Sequence, residues 1–317
     1  ANDESAKEDI IKSNRIFLIF FLGAVIGLMV AVLTNRDSHQ IAGVDPSAPE
    51  TRFVENSSKA SWSPDGRSIM FSEQGGGGLQ VMDLQTRTRQ GLQVDGKDPV
   101  WSPSGPLIAC VRRGSYGTTD SYLSEEVWLV PVKDGTARRL IRGGFPSWSA
   151  DGRALYVHSR ADNQILALDA GNLDAPPTVF YDKTPSWYYT VAPDGRQVAF
   201  GSRNQLEIRD RVTGAVTRQW PTPGNRGLLP AWSPDGELVA FGGFNDSRLG
   251  MWILEVRTGK AVPVKEGQFT MPAWSVGGHW LAFDERVGRT NSVWLVGRLY
   301  LDQLLRRVAS ANPSPRQ

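Results

Sequence analysis

Four aspartates, Asp65, Asp151, Asp194 and Asp235, stand in one recurring setting, each directly ahead of a glycine. Carboxylates in such a series could serve as general acids or bases, or could grip a cation. Their setting argues for structure instead. Each belongs to a Ser-Pro-Asp-Gly-like turn, in which short polar side chains accept backbone N–H groups and glycine takes a positive φ. The three histidines, His39, His158 and His279, are too widely separated for a zinc spacing. His158 lies within the strand-like YVHSR and reads as a satisfied histidine, whereas His279 follows a turn and reads as exposed. The single cysteine, Cys110, sits inside the apolar run LIACV. That suits a buried, inert thiol and excludes an intrachain disulfide framework. The sequence contains no Gly-x-Ser-x-Gly elbow, no His-Glu-x-x-His, no calcium loop and no phosphate loop. The glycines at 75–78 are followed by neither Lys-Ser nor Lys-Thr, so they read as a hairpin loop rather than a phosphate cradle. These residues point to a chain that is not an enzyme and that uses no cofactor or metal.

The 317 residues carry 35 basic and 33 acidic side chains, a formal net charge of +2, which argues against a nucleic-acid partner. Hydrophobic residues at 40% and charged residues at 21% fit a folded chain rather than a disordered one. Glycine (33), proline (20) and tryptophan (11) are abundant, as expected of many short strands joined by tight turns.

A repeat positions these residues. Trp-Ser-Pro-Asp-Gly occurs at 62–66 and at 232–236, with degenerate copies starting at Trp101, Trp148, Val191 and Trp274. The copies follow one another at intervals of 39, 47, 43, 41 and 42 residues. Each is followed by a short apolar strand, such as SIMFS, QVAFG or LVAFG, and then by a second strand, such as LQVMDL, QLEIRD or GMWILEV. A polar hairpin and a third strand come next, and the run into the following Trp makes a fourth. Four strands in about 42 residues is the period of a propeller blade. A flat indole suits the gap between neighbouring blades.

The fold expected is therefore all-β: a six-bladed propeller over residues 51–298. The sixth copy lacks an outer strand, while a spare strand, TRFVEN, precedes the first. The N-terminal strand is predicted to complete the last blade, leaving no free edge. Strand alternation places the Ser-Pro-Asp-Gly turns on one face and the blade-to-blade crossings on the other. The crossings bring Lys59, Lys97, Phe145, Trp187, Tyr188, Arg226 and Phe269 toward one mouth of the ring. Aromatic and basic side chains of this kind are typical of binding surfaces; for Phe145 and Phe269 blade packing is an equal reading. An insertion in the second blade (113–126) adds Tyr116 and Tyr122 on the same face.

Residues 16–33, IFLIFFLGAVIGLMVAVL, carry no charge and would form roughly 27 Å of helix, close to the thickness of a bilayer core. Lys7, Lys12 and Arg15 precede the segment and only Arg36 follows closely. Residues 1–15 are therefore expected in the cytoplasm, 16–33 as an uncleaved single-pass helix, and 34–50 as a linker. The propeller is then expected in the periplasm, anchored to the inner membrane. Gly23 and Gly27 would allow a neighbouring helix close approach. At the other end (299–317), Leu301, Leu304, Leu305 and Val308 fall on one stripe of a short helix, which packs under its own propeller or docks on a partner.

The repeated phrase and its period resemble the TolB-like propeller family over residues 51–298. That resemblance implies a six-bladed propeller, and its members include periplasmic proteins and the propeller domains of serine peptidases. The sequence departs from the pattern at Val191, which replaces Trp, and at Val276-Gly277, which replace Pro-Asp. The function expected is a non-catalytic, membrane-anchored scaffold or accessory subunit in a larger integral membrane complex, for example photosynthetic or respiratory. Its partners would be integral membrane subunits and the lipid bilayer. Two alternatives remain open: an envelope glycan, peptidoglycan or envelope-protein binding module, and a propeller hydrolase or lactonase with an axial metal.

Overall fold

The computed structural model describes residues 40–311, apart from 75–77, 93, 114–123, 134, 203–204, 223–228, 246–247 and 289. Residues 16–33, and with them Gly23 and Gly27, lie outside the described residues, as do Tyr116, Tyr122, Arg226 and the side chain of Val308. Among the described residues no helix is long and apolar enough to cross a membrane.

Strand β1 (Thr51–Glu55) opens the fold. Blade one follows with β2 (Ser57–Trp62), β3 (Ser68–Glu73), β4 (Leu79–Asp83) and β5 (Arg89–Gly91). Blade two comprises β6 (Lys97–Trp101), β7 (Leu107–Arg113), β8 (Glu125–Pro131) and β9 (Arg138–Arg142). Blade three comprises β10 (Gly144–Trp148), β11 (Ala154–Ser159), β12 (Gln164–Asp169) and β13 (Thr178–Tyr181). Blade four comprises β14 (Tyr188–Val191), β15 (Gln197–Gly201), β16 (Gln205–Asp210) and β17 (Val216–Pro221). Blade five comprises β18 (Ala231–Trp232), β19 (Leu238–Asn245), β20 (Arg248–Glu255) and β21 (Lys260–Glu266). Blade six holds β22 (Phe269–Trp274), β23 (Trp280–Val287) and β24 (Thr290–Gly297), and helix α1 (Arg298–Ala311) ends the described chain.

Each blade is a four-stranded antiparallel sheet, and the sixth is completed by β1, which pairs with β24 from Thr51↔Leu295 to Glu55↔Ser292. The innermost strands β2, β6, β10, β14, β18 and β22 adjoin one another in sequence, and β22 adjoins β2. The ring is closed, as predicted.

The repeated phrase builds both the turns and the seams. Ser63 Oγ donates to Asp65 Oδ1 at 2.6 Å and accepts from Ser68 N–H at 2.9 Å, while Asp65 accepts from Arg67 N–H at 3.0 Å. Gly66, at φ +68°, closes the turn. Ser149 and Asp151 repeat this arrangement in blade three. The Ser149 hydroxyl, with the Arg153 N–H, holds the Asp151 carboxyl below its ordinary range. The turn aspartates are thus occupied structurally. The tryptophans stitch blades together. Trp62 Nε1 donates to the Ala273 carbonyl of blade six, Trp148 to Val100 of blade two, and Trp274 to Ala231 of blade five. Six apolar layers, one between each pair of blades, form the core. Burial of one large apolar side chain in such a layer contributes about 2 kcal/mol.

Blade four has Val191 in place of the indole. Tyr156, Tyr181, Tyr189 and Phe200 fill that layer instead, and Tyr189 donates its hydroxyl to the Phe145 carbonyl at 3.1 Å. The cross-blade bond survives with a different donor.

Both described ends lie on the face of the Ser-Pro-Asp-Gly turns. Ile41 and Val44 are buried against Trp62, Leu84 and Trp280, and Arg87 donates to the Ala42 carbonyl at 2.8 Å. Glu50 pairs with Lys265 at 2.7 Å. The last part of the expected linker is therefore built into the propeller. At α1, Leu301 is fully buried and Leu304 and Leu305 pack on the layer between blades five and six. Arg298 clasps Asp235, Glu237 and Asp302 at 2.7, 3.0 and 2.8 Å. The described part of the leucine stripe faces its own propeller.

Candidate functional site

The opposite, crossing face holds a cavity of about 170 Å³ on the ring axis, lined by every blade. One local device shapes it. In four inner strands the residue three positions ahead of the Trp adopts a positive φ: Lys59 (59°), Asp98 (52°), Phe145 (50°) and Met271 (53°). The ladder slips at each of these points. A bulge of this kind re-aims a side chain, and a left-handed non-glycine residue costs about 1–3 kcal/mol. All four bulge residues line the cavity, with Tyr189 of blade four and Leu229 of blade five completing the circuit.

The cavity is two-sided. Phe145, Leu229 and Met271 make an apolar wall, and Lys59 and Asp98 form an ion pair on the other side. The Lys59 N–H donates to Asp284 Oδ2 at 2.6 Å, tying blade one to blade six. Asp284 is 1% exposed, and its Oδ1 has no hydrogen-bond partner among the described residues. Burial pushes the Asp284 carboxyl up to about 7. Burial, then the nearby charge of Lys97, brings the Lys59 ammonium down to about 8.

A second charged cluster stands beside the first. Glu125, 4% exposed, accepts from both Lys97 and Arg160. The Arg160 guanidinium lies 5.2 Å from the ring centre of Phe145 and 4.8 Å from that of Trp187. Phe145 meets Tyr188 edge-on at 5.0 Å. Trp187 is 43% exposed, so the stack ends in an aromatic face open to solvent. A further cavity of about 460 Å³ lies next to it, bounded by Lys97, Arg112, Arg113 and Glu125. Beneath the cluster His158 is fully buried, with Nε2 2.9 Å from Thr184 Oγ1. Burial, then the charge of Arg160, lowers it to about 4, so it stays neutral at ordinary pH.

Of the residues expected at the mouth, Lys59 and Phe145 line the axial cavity, and Lys97, Trp187 and Tyr188 belong to the adjoining cluster. Phe269 is a correction. It is 1% exposed and meets Phe283 edge-on at 5.3 Å, because its side chain turns into the layer between blades five and six. Asp98, Glu125, Arg160, Met271 and Asp284 were not anticipated. A signal for some of them exists: a proline stands two residues ahead of Trp101, Trp148, Trp232 and Trp274, and the residue before that proline faces the axis. Glu125, Arg160 and Asp284 carry no such mark. Among the described residues no three His, Cys, Asp or Glu side chains converge to hold a metal ion.

No family model matches the chain. Dipeptidyl-peptidase 5 of Porphyromonas gingivalis is 24% identical over 194 residues, covering 54% of this chain and 27% of the peptidase. The match thus spans about a quarter of that relative's length. TolB from Acinetobacter baumannii superposes with a TM-score of 0.55 at 21% identity, over 70% of this chain and 57% of the other. A putative TolB from Agrobacterium tumefaciens gives 0.54 at 17% identity, over 77% and 90%. The chain has the TolB-like propeller fold.

Proposed function

We propose that this chain is a non-catalytic scaffold, an accessory subunit of a larger integral membrane complex, held to the inner membrane by residues 16–33 with its propeller in the periplasm. One observation carries the reading: the two faces of the ring are used differently. The turn face is covered at blades one, five and six by the chain's own ends, through Ile41, Val44 and Leu301. The crossing face presents the Trp187–Arg160–Phe145 stack, fixed from behind by Glu125. An exposed aromatic on a rigid, charge-braced base is the composition of an interface centre. We assign partner docking to this face.

The peptidase relative supports a second reading, a propeller that serves a hydrolase. These 317 residues contain no Gly-x-Ser-x-Gly turn, so a nucleophile would have to come from elsewhere. The test is isolation of the full chain in mild detergent, beside a Trp187→Glu variant. Stoichiometric recovery of other membrane subunits with the parent, lost from the variant, is expected. A lone propeller that retains glycan, or one that co-isolates with a hydrolase subunit, would overturn the scaffold reading.

A further inference from the structure

The axial cavity has the size and charge layout of a small-molecule site, independently of the docking role given to the outer rim. At about 170 Å³ it is close to engineered cavities that hold benzene, and it suits a ligand of roughly six to nine non-hydrogen atoms. Interior peptide segments and oligosaccharides are too large for it. Its walls then narrow the chemistry. Phe145, Leu229 and Met271 offer apolar surface on one side, with Tyr189 and Thr190 of blade four between Phe145 and Leu229. Lys59 and Asp98 present a cation and an anion next to each other on the facing side. A purely apolar ligand would leave that pair desolvated, and a simple anion or cation would satisfy one partner and repel the other. A compact zwitterion with an apolar body satisfies both.

We propose that the axial cavity binds a free α-amino acid with an aliphatic or other small apolar side chain, its carboxylate on Lys59, its ammonium on Asp98, and its side chain against Phe145, Leu229 and Met271. The bulges make the site preorganised. Lys59 and Asp98 are held at positive φ, and Asp284 fixes the Lys59 backbone by accepting its N–H. Asp98 balances the Lys59 ammonium when no ligand is bound, and Asp284 contributes by holding the Lys59 backbone in place.

The experiment is calorimetric titration of the full chain in detergent with leucine, valine and methionine. Leucinamide, N-acetylleucine and 4-methylpentanoate serve as probes that each lack one charge. Leucine is expected to bind, and each single-charge analogue to bind at least tenfold more weakly. Asp98→Asn should erase the preference for leucine over N-acetylleucine. Met271→Trp, which fills the apolar side and leaves both charges in place, should weaken leucine at least tenfold, with thermal unfolding used to confirm that the variant is folded. Equal binding of leucine and leucinamide, or no heat from any amino acid at about 10 mM, would overturn the proposal. A terminal dipeptide binding more tightly than leucine would overturn it too, by making the ligand a chain end.

Discussion

Asp284→Asn is the most informative single change, because the structure assigns Asp284 a cost as well as a role. The carboxyl is buried, and burial raises it from 3.8 to about 7. The folded state therefore binds this proton more tightly than the unfolded chain does. Its contribution to stability is full below about 3.8 and is lost as the pH rises through about 7. The gap corresponds to roughly 4 kcal/mol at most. Asparagine keeps an oxygen that can accept from the Lys59 N–H, now 2.6 Å from the carboxylate, and cannot ionise. It also removes a negative charge beside Lys59, which is already lowered to about 8 by burial. Lys59 titrates in the opposite sense: its contribution is present above 10.5 and is lost as the pH falls through about 8, and the variant, which lacks the Asp284 charge that raises Lys59, moves the lower edge of that window further down. Allowing for the lost attraction, the variant should be about 2 kcal/mol more stable than the parent near pH 8, or about 4–8 °C in Tm, and equal to it near pH 4. Thermal and denaturant unfolding between about pH 4 and 9 measures both profiles. Parallel profiles, or a variant that is less stable at pH 8, would refute the assignment of a strained buried carboxylate. A stabilising substitution at the axis is the behaviour of a residue kept for binding rather than for the fold.

The remaining predictions concern the seams. Trp62→Phe removes the 2.9 Å bond to Ala273 and leaves a gap between blades one and six, at a cost of about 2–3 kcal/mol. Trp101→Phe should cost about 1 kcal/mol less, because the Trp101 indole N–H has no hydrogen-bond partner among the described residues. Denaturant midpoints of the two variants give the difference directly. Gly297→Ala would drive a methyl group into the Pro46 carbonyl, so the segment 41–50 must lift from the turn face. Limited proteolysis should then cut within that segment faster than in the parent, with a stability loss of about 1–3 kcal/mol.

The architecture was legible in the sequence because its determinants are local and repeated. A Trp-Ser-Pro-Asp-Gly turn carries its own hydrogen-bond donors, acceptors and positive-φ glycine, and six copies at a near-constant interval leave a single way to arrange the strands. Even the closure of the ring was readable, since TRFVEN was a strand without a partner and the sixth copy was a blade without an edge. The substitution of Val191 was readable as a gap, whereas its repair by Tyr189, which lies two residues away and reaches the neighbouring blade, was not. The axial site was legible only in part. Lys59 and Phe145 lie at fixed offsets from a repeat tryptophan, so periodicity placed them. Phe269 occupies a similar stretch of strand but turns into the core, because the bulge of blade six falls at Met271. Glu125 and Asp284 come from the third strand of blade two and the second of blade six, and Arg160 from the turn after the second strand of blade three, positions that carry no repeated phrase. Closure of the sheets into a ring brings Asp284 to Lys59, and Arg160 to Glu125 and Trp187, whereas Glu125 meets Lys97 across its own blade. Local sequence therefore determined the blades and their turns. The charge pairing at the hub was decided by tertiary structure, since ion pairs between blades depend on distances that no single repeat encodes.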